Sequence, residues 1–106
     1  SHMNPPSVIL TFVAPRVLEE KLVQMLLTHE VAGDAGFSVS EIIAYGRNLH
    51  FRTVAEQVSG RVRQIEVRMV LPADHAQQIV EQLKAEMPGQ HVKWQIASIM
   101  ATGELS

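Results

Sequence analysis

Apolar or β-branched residues fill both alternating faces of the stretch Ser7 to Val13, with Val8, Leu10 and Phe12 pointing one way and Ile9, Thr11 and Val13 the other. A strand covered on both sides has this pattern, so the segment predicts a central strand of a sheet. Pro15 then stands where a first helical residue can dispense with its N–H. Leu18, Leu22, Met25 and Leu26 follow at helical spacing, with Glu19, Glu20 and Lys21 toward the outside. The two glutamates near the start also suit the helix macrodipole, and Gly33 and Gly36 are expected to end this element. A second strand is predicted over about Ser38 to Tyr45. A third is predicted over about Arg61 to Leu71, where Ile65, Val67, Met69 and Leu71 alternate with Gln64, Glu66, Arg68 and Val70. Between them, Asn48 to Gly60 reads as a polar, irregular loop, and loops this long in small domains are usually functional or disordered. Pro72 marks a break, Ile79, Val80, Leu83 and Met87 form the stripe of a second helix, and Pro88-Gly89 ends it. The last strand, about His91 to Met100, puts Val92, Trp94 and Ile96 on one face.

The order β-α-β-β-α-β is the split βαβ or ferredoxin-like pattern: an α+β fold with two helices on one face of a four-stranded antiparallel sheet. The opposite face must meet water or another subunit. Ile9, Val13, Val70, Ala97 and Ile99 would lie there, and an apolar patch of that kind marks an interface, so an oligomer is expected. The 106 residues predict one domain over 7–106, with residues 1–6 as a tag remnant (Ser1-His2-Met3) and a disordered N-terminus. The chain has no cysteine, which removes disulfides, thiolate metal sites and cysteine nucleophiles. A formal net charge of −2 gives no support for nucleic-acid binding. No apolar run reaches the roughly 20 residues of a membrane span, so no membrane insertion and a cytoplasmic location are expected.

The remaining chemistry gathers around the loop. Arg47, Arg52, Arg61 and Arg63 bracket it, and the rigid guanidinium fork suits planar or phosphate-like anions. If these residues converge, they would bind bicarbonate, phosphate or an adenylate. His29, His50, His75 and His91 are spread over separate elements with no HxH or HxxxH pair, which leaves His50 as the one metal candidate. No nucleophile, triad or HExxH pattern is present, so the chain is expected not to be an enzyme.

The stretch Gly36 through Arg47, including Glu41 and the Gly46-Arg47 exit, resembles the strand that leads into the mobile T-loop of PII signalling proteins. Ile65-Glu66-Val67 is similar to the returning strand, and Thr102-Gly103-Glu104 to the C-terminal signature. Val54-Ala55-Glu56-Gln57-Val58-Ser59-Gly60-Arg61, with Trp94 and a terminal Gly-Glu-Leu, looks like the PII-like branch found beside transporter and heavy-metal efflux genes. The resemblance implies a homotrimer with sheets facing inward, ligand clefts between subunits and a T-loop at about 47–60. It implies a regulatory protein that senses an adenine nucleotide such as ADP or AMP, or bicarbonate, as effector rather than required cofactor. Its partner would be a membrane transporter engaged through the T-loop. By position, Ser38 would face the adenine, Ala44, Tyr45 and Gly46 would line the cleft, and Arg47 would reach an anion. Asn48 would sit at the metal and 2-oxoglutarate position of PII proteins, Glu56 and Gln57 at the far end of the loop, and Arg61 among the anion-binding arginines. The PII glycine-rich phosphate loop ending in lysine is reduced to Met87-Pro88-Gly89-Gln90. A smaller anion or a nucleotide with fewer phosphates therefore fits better than ATP, because a phosphate cradle needs several backbone N–H groups and usually a cation. The alternative is a metal-responsive module of a heavy-metal efflux system with CutA-like architecture.

Overall fold

The computed structural model describes residues 6–106, so the expected N-terminal remnant lies outside the described residues except for Pro6. Strands β1 (Ser7–Pro15), β2 (Ser38–Tyr45), β3 (Arg61–Pro72) and β4 (Lys93–Ser98) form one antiparallel sheet in the order β2-β3-β1-β4. Helices α1 (Glu19–Thr28), α2 (Glu30–Ala35) and α4 (Ala73–Glu86) pack on one face of that sheet, and α3 (Val54–Ser59) lies in the β2–β3 connection. The fold is α+β and ferredoxin-like, with β1 interior as its two-sided apolar pattern requires.

Register sets the core. Val8, Leu10, Phe12 and Ala14 of β1 stand opposite Leu71, Met69, Val67 and Ile65 of β3, and all eight are buried. Leu22 and Leu26 of α1, Ala32 of α2, and Ala76, Ile79, Val80 and Leu83 of α4 close over them. Each large side chain removed from water contributes about 1.5–3 kcal/mol. Trp94 and Ile96 of β4 stand opposite Phe12 and Leu10 on the same face. Ile9, Val13, Val70 and Ala97 occupy the other face, which no helix covers, while Ile99 falls beyond the end of β4.

The structure differs from the sequence expectations in three places. Pro15 is the last residue of β1, and a single 3-10 turn (Arg16–Leu18) precedes α1, whose first turn carries Glu19 and Glu20. The first helix breaks at His29 rather than at Gly33, because the His29 Nδ1 accepts the Val31 and Ala32 N–H groups (3.1 and 3.2 Å) and so starts α2. The stop comes at Gly36, in a left-handed conformation (φ 79°). The stretch between β2 and β3 also contains a helix.

Gly33 therefore lies inside α2, where a Cβ would come within 2.6 Å of the Leu27 carbonyl oxygen of α1. Helix propensity alone makes Gly→Ala worth up to about 1 kcal/mol of stabilisation. The close approach reverses the sign, so Gly33→Ala should destabilise the protein by about 1–3 kcal/mol in denaturant unfolding. A gain in stability would show that α1 and α2 can move apart freely.

Candidate functional site

Strands β2 and β3 end at the Tyr45–Arg61 pair, and the Gly46 N–H donates to the Gly60 carbonyl at 2.9 Å, closing the base of the connection. Gly60 is left-handed (φ 68°), as the residue after a helix commonly is. Thr53 and Glu56 form a capping box. The Glu56 N–H donates to Thr53 Oγ1 (3.1 Å), while Glu56 Oε1 accepts the Arg52 and Thr53 N–H groups (2.6 and 3.2 Å). Helix α3 is thus held by local bonds and not by burial: Val54 and Val58, one turn apart, are 75% and 82% exposed. Isolated helices this short are marginal in water, so the cap carries much of its stability.

The first half of the connection folds against the end of the sheet and covers Val62, which lies on the otherwise open face. A cleft of about 270 Å³ results, floored by Pro15, Leu49, Val62 and Val92. Its polar lining is Asn48, His50, Arg52, Gln64, His91 and Lys93, with no carboxylate among the described residues. The His50 and His91 rings stack, with centroids 3.6 Å apart and planes at 20°. Such a cleft offers two fixed cations and several N–H donors, the requirement for an oxyanion.

On the other side of Arg52 and Val62 lies a second cleft of about 510 Å³, where Arg16, Arg52 and Arg63 face Glu19, Glu20 and Glu56. Glu41 Oε1 lies 2.9 Å from Arg16 Nε and 3.6 Å from Arg63 Nη2. Exposed pairs of this kind contribute about 0–1 kcal/mol, but they offset the charge an anion would need. Of the two, the carboxylate-free cleft has the lining whose charge would suit an anion.

The four loop arginines do not converge. Arg52 lines both clefts, Arg63 is held by Glu41, Arg61 lies over the Tyr45 ring (5.9 Å to its centroid), and Arg47 is exposed and lines neither cleft. Asn48 lines the carboxylate-free cleft. Ala44 pairs with Val62 beside it, and Gly46 closes the base. Glu56 serves the capping box and the mixed-charge cleft, while Gln57 is exposed on α3. Ser38 starts β2 at the far end of the sheet, near Ile9, Arg68 and Val70. His50 gains one histidine neighbour, but the stacked rings do not converge on a point, and no group of three or more His, Cys, Asp or Glu among the described residues could hold a metal. Gln64, His91 and Lys93 were not legible as site residues. They reach the cleft only through the β3–β1–β4 register, which sets Gln64 and Lys93 beside Pro15 and Val13.

The model of the DUF3240 family, described as a protein of unknown function, matches residues 4–106, and the chain belongs to that family. No curated protein matches. A DUF3240 family protein of Shewanella baltica superposes with a TM-score of 0.72 at 17% identity, covering 95% of this chain and 98% of that one. A provisionally assigned PII-like signalling protein of Thermus thermophilus superposes with a TM-score of 0.58 at 24% identity, covering 92% and 91%. A Bacillus cereus protein related to NIF3 gives 0.66 at 15% identity, with 97% of this chain matching 28% of that one. At these identities the likeness is one of fold alone. No helix among the described residues is long and apolar enough to cross a membrane.

Removing the cap should loosen α3 alone. Thr53→Ala should cost about 1 kcal/mol of local stability, a roughly fivefold loss of amide protection over residues 54–59, with the melting temperature nearly unchanged. Unaltered protection there would show that something other than the capping box holds the helix.

Proposed function

We propose that this protein is a PII-like regulator that binds a small anionic ligand at the base of the β2–β3 connection and signals through its T-loop, residues 47–60. The observation that carries this reading is the carboxylate-free cleft lined by Asn48, His50, Arg52, Gln64, His91 and Lys93. Bicarbonate fits such a space directly. An adenylate such as AMP or ADP would place its phosphate there and extend beyond it, because 270 Å³ is below the range of about 300–1,000 Å³ for a whole small-molecule site. The homotrimer that the PII resemblance implies would supply the missing wall from a neighbouring subunit. Ile9, Val13, Ile42, Val70 and Ala97 are the apolar side chains such packing would bury. The effector acts by ordering or releasing the loop, a shift between two populations that differ in ligand affinity. Val54 and Val58 of α3 then form the apolar contact presented to a partner, which we take to be a membrane transporter.

Calorimetric titration with bicarbonate, AMP and ADP tests the reading. At least one should bind, and Arg52→Ala and Lys93→Ala should each weaken it about tenfold, a loss of about 1.4 kcal/mol, with light scattering still reporting a trimer. Binding that is untouched by both substitutions, or silence toward all three ligands, would reject the cleft.

A further inference from the structure

The cleft holds two titratable rings whose stacking is itself a contact between the loop and the sheet. His50 belongs to the loop and His91 to the turn entering β4, and their centroids lie 3.6 Å apart. His91 has φ 59°, a left-handed conformation that non-glycine residues adopt at some cost. It also borders the groove between α4 and β4, where Lys84 lies 5.5 Å from the Trp94 ring centroid. The charged groups that line the cleft with the pair are Arg52 of the loop and Lys93 of β4, while Lys84 of α4 lines the groove with His91 alone. No carboxylate lines either space among the described residues. Glu56, the acid of the loop, lines the neighbouring cleft and is occupied by the Arg52 and Thr53 N–H groups.

Two neutral imidazoles stack without electrostatic cost. Two imidazolium ions at that separation repel, here beside Arg52 and Lys93 in a cleft whose lining holds no carboxylate among the described residues. Histidine changes charge in the range from about pH 5 to pH 8. We propose that the His50–His91 stack is a proton-operated latch that holds the 46–60 segment on the end of the sheet. Protonation of both rings opens it and frees the loop. An anion in the cleft offsets the added charge and keeps the latch shut, so ligand occupancy and pH act on the same element. The latch itself stands on the stacked pair, whereas its closure by an anion rests on the cleft reading above.

Hydrogen exchange of the ligand-free protein, corrected for intrinsic rates, tests this at about pH 8 and about pH 5, the two ends of the histidine range. Protection over residues 46–52 should fall at least about tenfold at the lower pH, while β1 and β3 stay protected. His50→Phe and His91→Phe keep a ring that can stack but cannot titrate, and either should abolish the pH dependence. His91→Gly accepts the left-handed backbone but removes the ring, and should leave the loop open at both pH values. Equal protection of the parent protein at both pH values, or a fall that persists in both phenylalanine variants, would overturn the latch. Sodium sulfate, compared with sodium chloride at equal ionic strength, should restore protection at the lower pH. A pH-dependent loop that sulfate does not rescue would reject the anion site and leave the latch standing.

Discussion

A four-stranded sheet covered on one face only is the constraint from which the rest follows. The even-numbered residues of β1 and the odd-numbered residues of β3 fill the single core under α1, α2 and α4. Every second residue of the same strands is therefore left on the uncovered side. There the chain has Ile9, Val13 and Val70 among Thr11, Glu66 and Arg68, a mixture suited neither to bulk water alone nor to a second layer of helices. The β2–β3 connection folds over the end of this face and buries Val62, and in doing so it creates the cleft.

The chemistry of the cleft comes from sorting of charge. Acidic side chains around the loop base are drawn to its other side, where Glu41 holds Arg16 and Arg63, and Glu56 caps α3. What remains beside His50 and His91 is cationic or amide-bearing. An anion entering there would gain two fixed charges with little desolvation of competing carboxylates, and it would touch residues of both the loop and the sheet. In the proposed reading, binding and loop position would be linked for that reason, since a ligand shifts an equilibrium only by its differential contacts.

Much of the fold was legible in the sequence. The two-sided apolar run of β1, the period-two alternation of β3 and the stripes of α1 and α4 are burial patterns, and burial follows local periodicity. Helix α3 was missed because its valines face outward, although Thr53-Val54-Ala55-Glu56 followed by Gly60 is a capping box with a glycine stop. The break at His29 depends on a side-chain bond to the backbone that periodicity does not register. The site was only partly legible. Asn48 and Arg52 could be placed near the loop base, but His91 and Lys93 join them through β1–β4 pairing, a non-local register with no signature in composition or spacing.

The central claim is that a small anion binds where the loop meets the ends of β1, β3 and β4. Backbone amide chemical-shift mapping during titration with bicarbonate, AMP and ADP tests it most directly. The shifts should concentrate at residues 46–53, 62–64 and 90–93 at saturation. Shifts centred on Ser38 and Arg68 at the opposite end of the sheet, or none with any of the three, would contradict it.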